Sequence, residues 1–165
     1  MPEKETLRRA EKDKREGKSP STQAGEFVRE EIHHIREGKH GARSAKQAIA
    51  IGLSKARRAG VDLPPPEGEA KTTQRKAASD RKAGKRKTSG TKSRKRARAV
   101  TTALQHEGSA AASPTALSRH ASASARKRTA ADRSAAAKKA ARTKGAAGRK
   151  AAAKKAARTR ARASA

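Results

Sequence analysis

From Lys71 to Ala165 the chain sets 29 Lys and Arg against only three acids, Asp80, Glu107 and Asp132, and it has no Phe, Tyr or Trp there. Like charges at this density repel, and alanine, the commonest apolar residue of the stretch, buries little area. Such a segment cannot offset its ordering entropy with a hydrophobic core. The expectation is that residues 67–165 lack persistent structure when free. The first 70 residues differ: 15 Lys and Arg meet 12 Asp and Glu, and Phe27, Val28, Ile32, Ile35, Ile49, Ile51, Leu53, Val61 and Leu63 all lie there. Two parts with different work are implied. The fold class expected is a mostly disordered chain with a small α-helical hairpin and a long polycationic low-complexity tail. Its divisions are a charged lead-in at 1–20, the hairpin at 21–66, a disordered basic linker at 67–125 and an Ala/Lys/Arg repeat tail at 126–165.

The hairpin is read from its caps and its periodicity. Ser44 with Gln47 three residues later has the form of a capping box, and Gly60 suits the left-handed position after a helix end. Between them Ala45, Ala48, Ile49, Gly52, Leu53 and Ala56 recur at three- and four-residue intervals, predicting a helix over about 45–59. Val61 should fold back on Ala56. Ile51 lies outside this stripe and points to a second apolar contact, a dimer interface or a dock for another segment. On the opposite face Lys46, Gln47, Ala50, Ser54, Arg57 and Arg58 form a polar arc. It reads either as a solvated face or as one that lies against a phosphate backbone. An earlier helix is predicted over about 22–37, closed by Gly38, with Ala24, Phe27, Val28, Ile32 and Ile35 on one face. The short connection favours antiparallel neighbours. The Pro64-Pro65-Pro66 run should end the hairpin as a stiff extended exit, and the core should depend on Ile49 and Leu53. In the lead-in, Leu7 is the only large apolar residue after Met1, and Glu5–Arg9 and Glu11–Arg15 are weak four-residue pairs.

Beyond Glu67 the chain is low in complexity. Lys85-Arg86-Lys87 and Arg94-Lys95-Arg96-Ala97-Arg98 are basic clusters broken by Gly84 and Gly90. Val100 to Gln105 reads as a helical turn, and 108–125 as a flexible spacer. The segment AAAKKAARTK at 135–144 returns as AAAKKAARTR at 151–160, a 16-residue period with nine of ten residues identical. In each copy Lys138, Lys139 and Arg142, or Lys154, Lys155 and Arg158, would share one helical face, with Lys144 and Arg160 ending the copies. These cations, with those of the two clusters and Lys46, Arg57 and Arg58, are the candidate nucleic-acid contacts. Phosphate neutralisation with counterion release would supply the affinity. Base readout needs side chains fixed in a groove and single-strand readers need aromatic platforms, so no sequence preference is expected.

Other chemistries find little support. The chain has no Cys. His33 and Glu37 share a helix face, with Glu30 one turn earlier and His40 in the following loop. Those are metal-ligand residue types, but the pattern is not the His-Glu-x-x-His helix of zinc proteases. Ser, His and Asp occur without any sign of converging. The expectation is no metal, no cofactor and no enzymatic activity. No run approaches the roughly 18–20 apolar residues of a membrane span, and residues 1–20 hold no signal-peptide core. A cytoplasmic protein without a membrane partner follows.

Two resemblances bear on function. The stretch from Gly25 to Gly60, above all KQAIAIGLSKARRAG at 46–60, resembles a family of small basic bacterial proteins of unknown function, some of which carry names such as DNA-binding or plasmid stabilization protein. Residues 126–165 are similar in composition to linker-histone tails and bacterial histone-like proteins. What the resemblances imply is a histone-like, nucleoid-associated DNA-binding protein, bridging DNA if the hairpin forms a homodimer. An RNA- or ribosome-associated basic protein, or a regulator whose hairpin docks on another protein, are the alternatives.

Overall fold

The computed structural model describes residues 2–65, 68–86 and 94–163. The best-capped helix of the sequence is α3, Ala45–Arg58. Ser44 Oγ accepts from the Gln47 backbone N–H at 3.2 Å, and Gln47 Oε1 returns to the N–H of Arg43 at 2.8 Å, one residue outside the cap. At its other end Gly60 (φ +96°) donates to Arg57 O and Val61 to Ala56 O. That is the paired bonding of a Schellman end, with Val61 packed beside Ala56 as its geometry requires. Helix α1 (Lys4–Arg15) ends in the same way at Gly17, and α2 (Pro20–Arg36) at Gly38. Three helices therefore stop where the chain supplies a glycine.

Helices α2 and α3 pack as the predicted hairpin. They approach closely at Gly52, where an added Cβ would lie 2.6 Å from the Val28 Cα. Phe27, Ile32 and Ile35 are buried, with Ala24, Ala48 and Ala56. Ile49 and Ile51 are only half-buried and Leu53 packs from the margin, so small residues, not Ile49, form the contact line of α3.

The expectation of a mostly disordered chain is overturned, because helices run through nearly all of the described residues. The lead-in forms α1 and docks on α2 through buried Thr6 and Ala10, while Leu7 faces outward at 36% exposure. Arg9 Nε meets Glu26 Oε2 at 2.6 Å and Lys18 Nζ meets Asp13 Oδ1 at 2.7 Å. Of the two pairs foreseen within α1, Glu5–Arg9 forms. The linker contains α4 (Lys71–Lys85), α5 (Arg94–Gln105), a 3₁₀ turn at Ala110–Ala112 and the start of α6 (Pro114–Arg126). Helix α4 packs on α3 and buries Ala77 and Asp80. Gly84, read from sequence as a breaker, is instead a helical contact point: an added Cβ would lie 2.0 Å from Arg57 O. The 3₁₀ turn fills a second core cluster with Ala111 and Ala112 against Ile32, Ile35, Ala42 and Ala48. Arg36 Nε holds it through Ala112 O at 2.9 Å. Alanines and single ion pairs thus do the docking that large apolar residues were expected to do. Pro64 and Pro65 carry no regular structure, and Pro66 lies outside the described residues.

The chain divides into two compact units, Met1–His120 and Ala121–Ala165. The second unit contains α7 (Ala130–Ala163), in which both sequence repeats are helical. Its start is a reciprocal box: Thr129 Oγ1 accepts from the Asp132 N–H at 3.1 Å and Asp132 Oδ2 accepts from the Thr129 N–H at 3.3 Å. Gly145 (φ 63°, ψ 175°) breaks it into two arms, and Arg149 Nη1 donates to Ala141 O at 2.7 Å across the break. The coil expected here rested on repulsion between neighbouring cations; the helical propensity of alanine outweighs it and propagates a long helix without large apolar contacts.

Candidate nucleic-acid interface

The cations singled out in the sequence fall into two groups. The first is built into the fold. Arg57 is 7% exposed, and its guanidinium donates to Leu63 O at 3.2 Å and Pro64 O at 3.3 Å. Burial pulls its pKa down from the ordinary arginine value, against the opposing pull of Asp80. Arg58 Nε donates to Asp80 Oδ1 at 2.7 Å, and Lys46 Nζ lies 3.5 Å from Glu69 Oε2. Lys85 Nζ lies 3.9 Å from Asp62 Oδ1. The polar arc of α3 is therefore divided: Ser54, Arg57 and Arg58 receive α4, while Lys46 and Ala50 stay exposed.

Asp80 is the centre of that contact. It is 2% exposed and accepts from Ser54 Oγ at 2.7 Å, Arg58 Nε and Lys76 Nζ at 3.1 Å. Burial alone would raise its pKa, but the hydrogen bonds from Ser54, Arg58 and Lys76 outweigh it and hold the carboxyl below its ordinary value.

The second group is exposed on helices that carry few acids. Lys95, Arg96 and Arg98 project from α5, and Arg86 follows α4. Lys87 lies outside the described residues, as does the side chain of Arg94. On α7, Lys138, Lys139, Arg142 and Lys144 are exposed on the first arm, and Lys154, Lys155, Arg158 and Arg160 on the second. The unit Ala121–Ala165 has 15 Lys and Arg against one acid, and that acid, Asp132, is held by Thr129. Thr143 and Thr159, equivalent in the repeat, each donate to the carbonyl four residues back, so the two arms share their local bonding. In each copy the two lysines and the arginine fall within about 100° of the helix surface, by the 3.6-residue turn.

The histidines are arranged differently from the sequence reading. His33 and Glu37 are exposed, whereas Glu31, His34 and His40 converge, their ligand atoms within 4.8 Å of one another. Glu31 could have been found, since it sits four residues from both Phe27 and Ile35. An acid in the middle of an apolar stripe is an anomaly that periodicity displays.

The comparisons with known proteins add a family without a function. Residues 14–67 match DUF6496, a family of unknown function, and this stretch holds α2, α3 and the end of α1. No curated protein and no solved structure matches the chain. Among the described residues no helix is long and apolar enough to cross a membrane.

Proposed function

We propose that this protein binds double-stranded DNA without sequence preference, as a histone-like protein of the bacterial nucleoid, through the exposed cations of α7 with those of α5 in support. The observation that carries the reading is the charge of the C-terminal unit, 15 cations to one acid, on alanine-rich helices with nothing bulky to hold a phosphate backbone away. Each arm presents its cations from a formed helix, so binding need not order the backbone first, and that preorganisation spares affinity. Lys and Arg on phosphates release condensed counterions, which supplies binding energy regardless of base sequence. The bundle α1–α4 engages several of its own cations in ion pairs with acids.

Cross-linking in cells followed by sequencing of the recovered nucleic acid tests this directly. The expected result is DNA fragments spread across the genome without a shared motif. Recovery dominated by RNA would replace DNA with RNA as the partner, and a sharp consensus motif would contradict the phosphate mechanism.

A further inference from the structure

We propose that Glu31, His34 and His40 form a three-ligand site for one zinc-type divalent transition-metal ion, with Glu3 positioning His34 from outside. The site stands apart from the cations assigned to nucleic acid.

Its starting point is a buried charge imbalance. Glu30 and Glu31 are 4% and 0% exposed, and Lys55 is the lysine that serves both, with Nζ 2.5 Å from Glu31 Oε2 and 3.8 Å from Glu30 Oε1. Glu30 Oε1 and both Glu31 oxygens accept no hydrogen bond of ordinary geometry among the described residues. Two buried carboxylates facing one ammonium call for further positive charge, since an uncompensated buried ion is strongly unfavourable.

The histidines are arranged to admit it. His40 Nδ1 faces Gly41 O at 3.1 Å, and a carbonyl only accepts, so Nδ1 carries the proton. In the form of the ring that binds a metal, Nε2 has a lone pair, and it lies 3.2 Å from Glu31 Oε1. Two acceptors at that separation are what one metal ion bridges, because ligands about 2.0–2.2 Å from tetrahedral zinc lie about 3.4 Å apart. His34 Nε2 meets Glu3 Oε1 at 2.8 Å, which leaves Nδ1 as the lone-pair nitrogen. A ligating histidine commonly gives its other N–H to a carboxylate or a backbone carbonyl, and here the two rings show one of each.

The loop that carries His40 is also fixed. Gly41 N–H donates to Leu104 O at 2.8 Å and Ala42 N–H to Gly108 O at 3.1 Å. Glu31 and His34 are three residues apart on α2 and lie on one face. Two imidazoles and one carboxylate suit Zn²⁺ and leave a fourth position for water. The ion would tie the C-terminal turn of α2 to its following loop and, through Glu3, to the start of α1.

The test is titration of the chelator-treated full-length protein with Co²⁺, a spectroscopic stand-in for Zn²⁺. The expected result is one equivalent bound per chain with visible d–d bands, abolished by added Zn²⁺. His34→Gln and His40→Gln should each weaken binding by more than the roughly 10–100-fold that loss of an outer partner costs, and Glu3→Gln by an amount within that range. Zn²⁺ should raise the melting temperature of the parent chain and not of His40→Gln. His33→Ala, on an exposed histidine, should change nothing. Absence of visible bands, or bands that persist undiminished in both histidine variants, would overturn the site. Equal loss in His33→Ala would assign the ion to surface histidines and overturn it as well. Glu31→Gln is read only if its circular dichroism matches the parent, because the histidine variants already decide the matter.

Discussion

Arg58 and Arg158 are the same side chain near the ends of two helices, but they meet different surroundings. Arg58 Nε sits 2.7 Å from a carboxylate that is almost wholly buried, whereas Arg158 stands exposed on the second arm of α7. The contrast extends to their whole regions. In α1–α4 several cations are engaged by acids in docking: Arg9 on Glu26, Lys18 on Asp13, Lys55 on Glu31, Arg81 on Asp62. In the C-terminal unit there is one acid, and it is occupied in starting a helix. Positive charge thus serves in part as cement in the first region, whereas in the second it is almost wholly surplus, and a surplus is what can be offered to a polyanion.

The largest expected effect comes from the core of the first region. Phe27 is 1% exposed at the meeting of α1, α2 and α3. Phe27→Ala should cost about 3–5 kcal/mol and melt the bundle, while the helicity contributed by α7 persists. Urea unfolding followed by circular dichroism would show the loss of one transition and the survival of the residual signal. A uniform collapse of all helicity would mean that α7 depends on the bundle.

Asp80→Ala removes the acceptor of Ser54, Arg58 and Lys76 and should cost about 1–3 kcal/mol, with α4 released from α3. Faster amide exchange over 71–85 than over 45–58 would be its mark. The same carboxyl predicts a pH effect with a definite sign. Its folded pKa is held below the ordinary value, so its contribution is complete above about pH 3.9, the unperturbed aspartate value, and is lost as pH falls through the lower folded value. The stability difference between the parent and Asp80→Asn, measured by urea midpoints, should therefore be constant near neutrality and shrink below about pH 4. A difference that grew on acidification would reverse the assignment. The smallest effect belongs to Lys46→Ala with Arg58→Ala: DNA affinity should change by less than about threefold, since both cations already have acids.

What could be read in the sequence follows from the same contrast. Helices α2 and α3 were legible because glycines, Ser44 and a periodic stripe mark them. Helix α1 was not, because it docks with Thr6, Ala10 and ion pairs and turns Leu7 outward. Helix α4 and the 3₁₀ turn escaped for a related reason: Ala77, Ala111 and Ala112 carry no hydrophobic weight alone and become buried where Gly84 and Ala48 let backbones approach. The basic arc of α3 was correctly seen as a face, but its owner was α4. Among the histidines, counting forward from Glu30 selected His33, whereas the phase set by Phe27 and Ile35 selects Glu31 and its neighbour His34.

The proposal that surplus charge in the C-terminal unit holds nucleic acid meets its sharpest test in salt. Binding constants for a duplex of arbitrary sequence are measured across a range of salt concentrations for the full chain and for a chain ending at Ala125. On logarithmic axes the full chain should give a straight line steeper than about −5, from a slope near −0.9 for each phosphate neutralised. Removal of residues 126–165 takes away 15 of the 44 Lys and Arg and should flatten that line sharply. If the two slopes were equal, the cations that bind would lie elsewhere in the chain and the division of work between the two regions would be wrong.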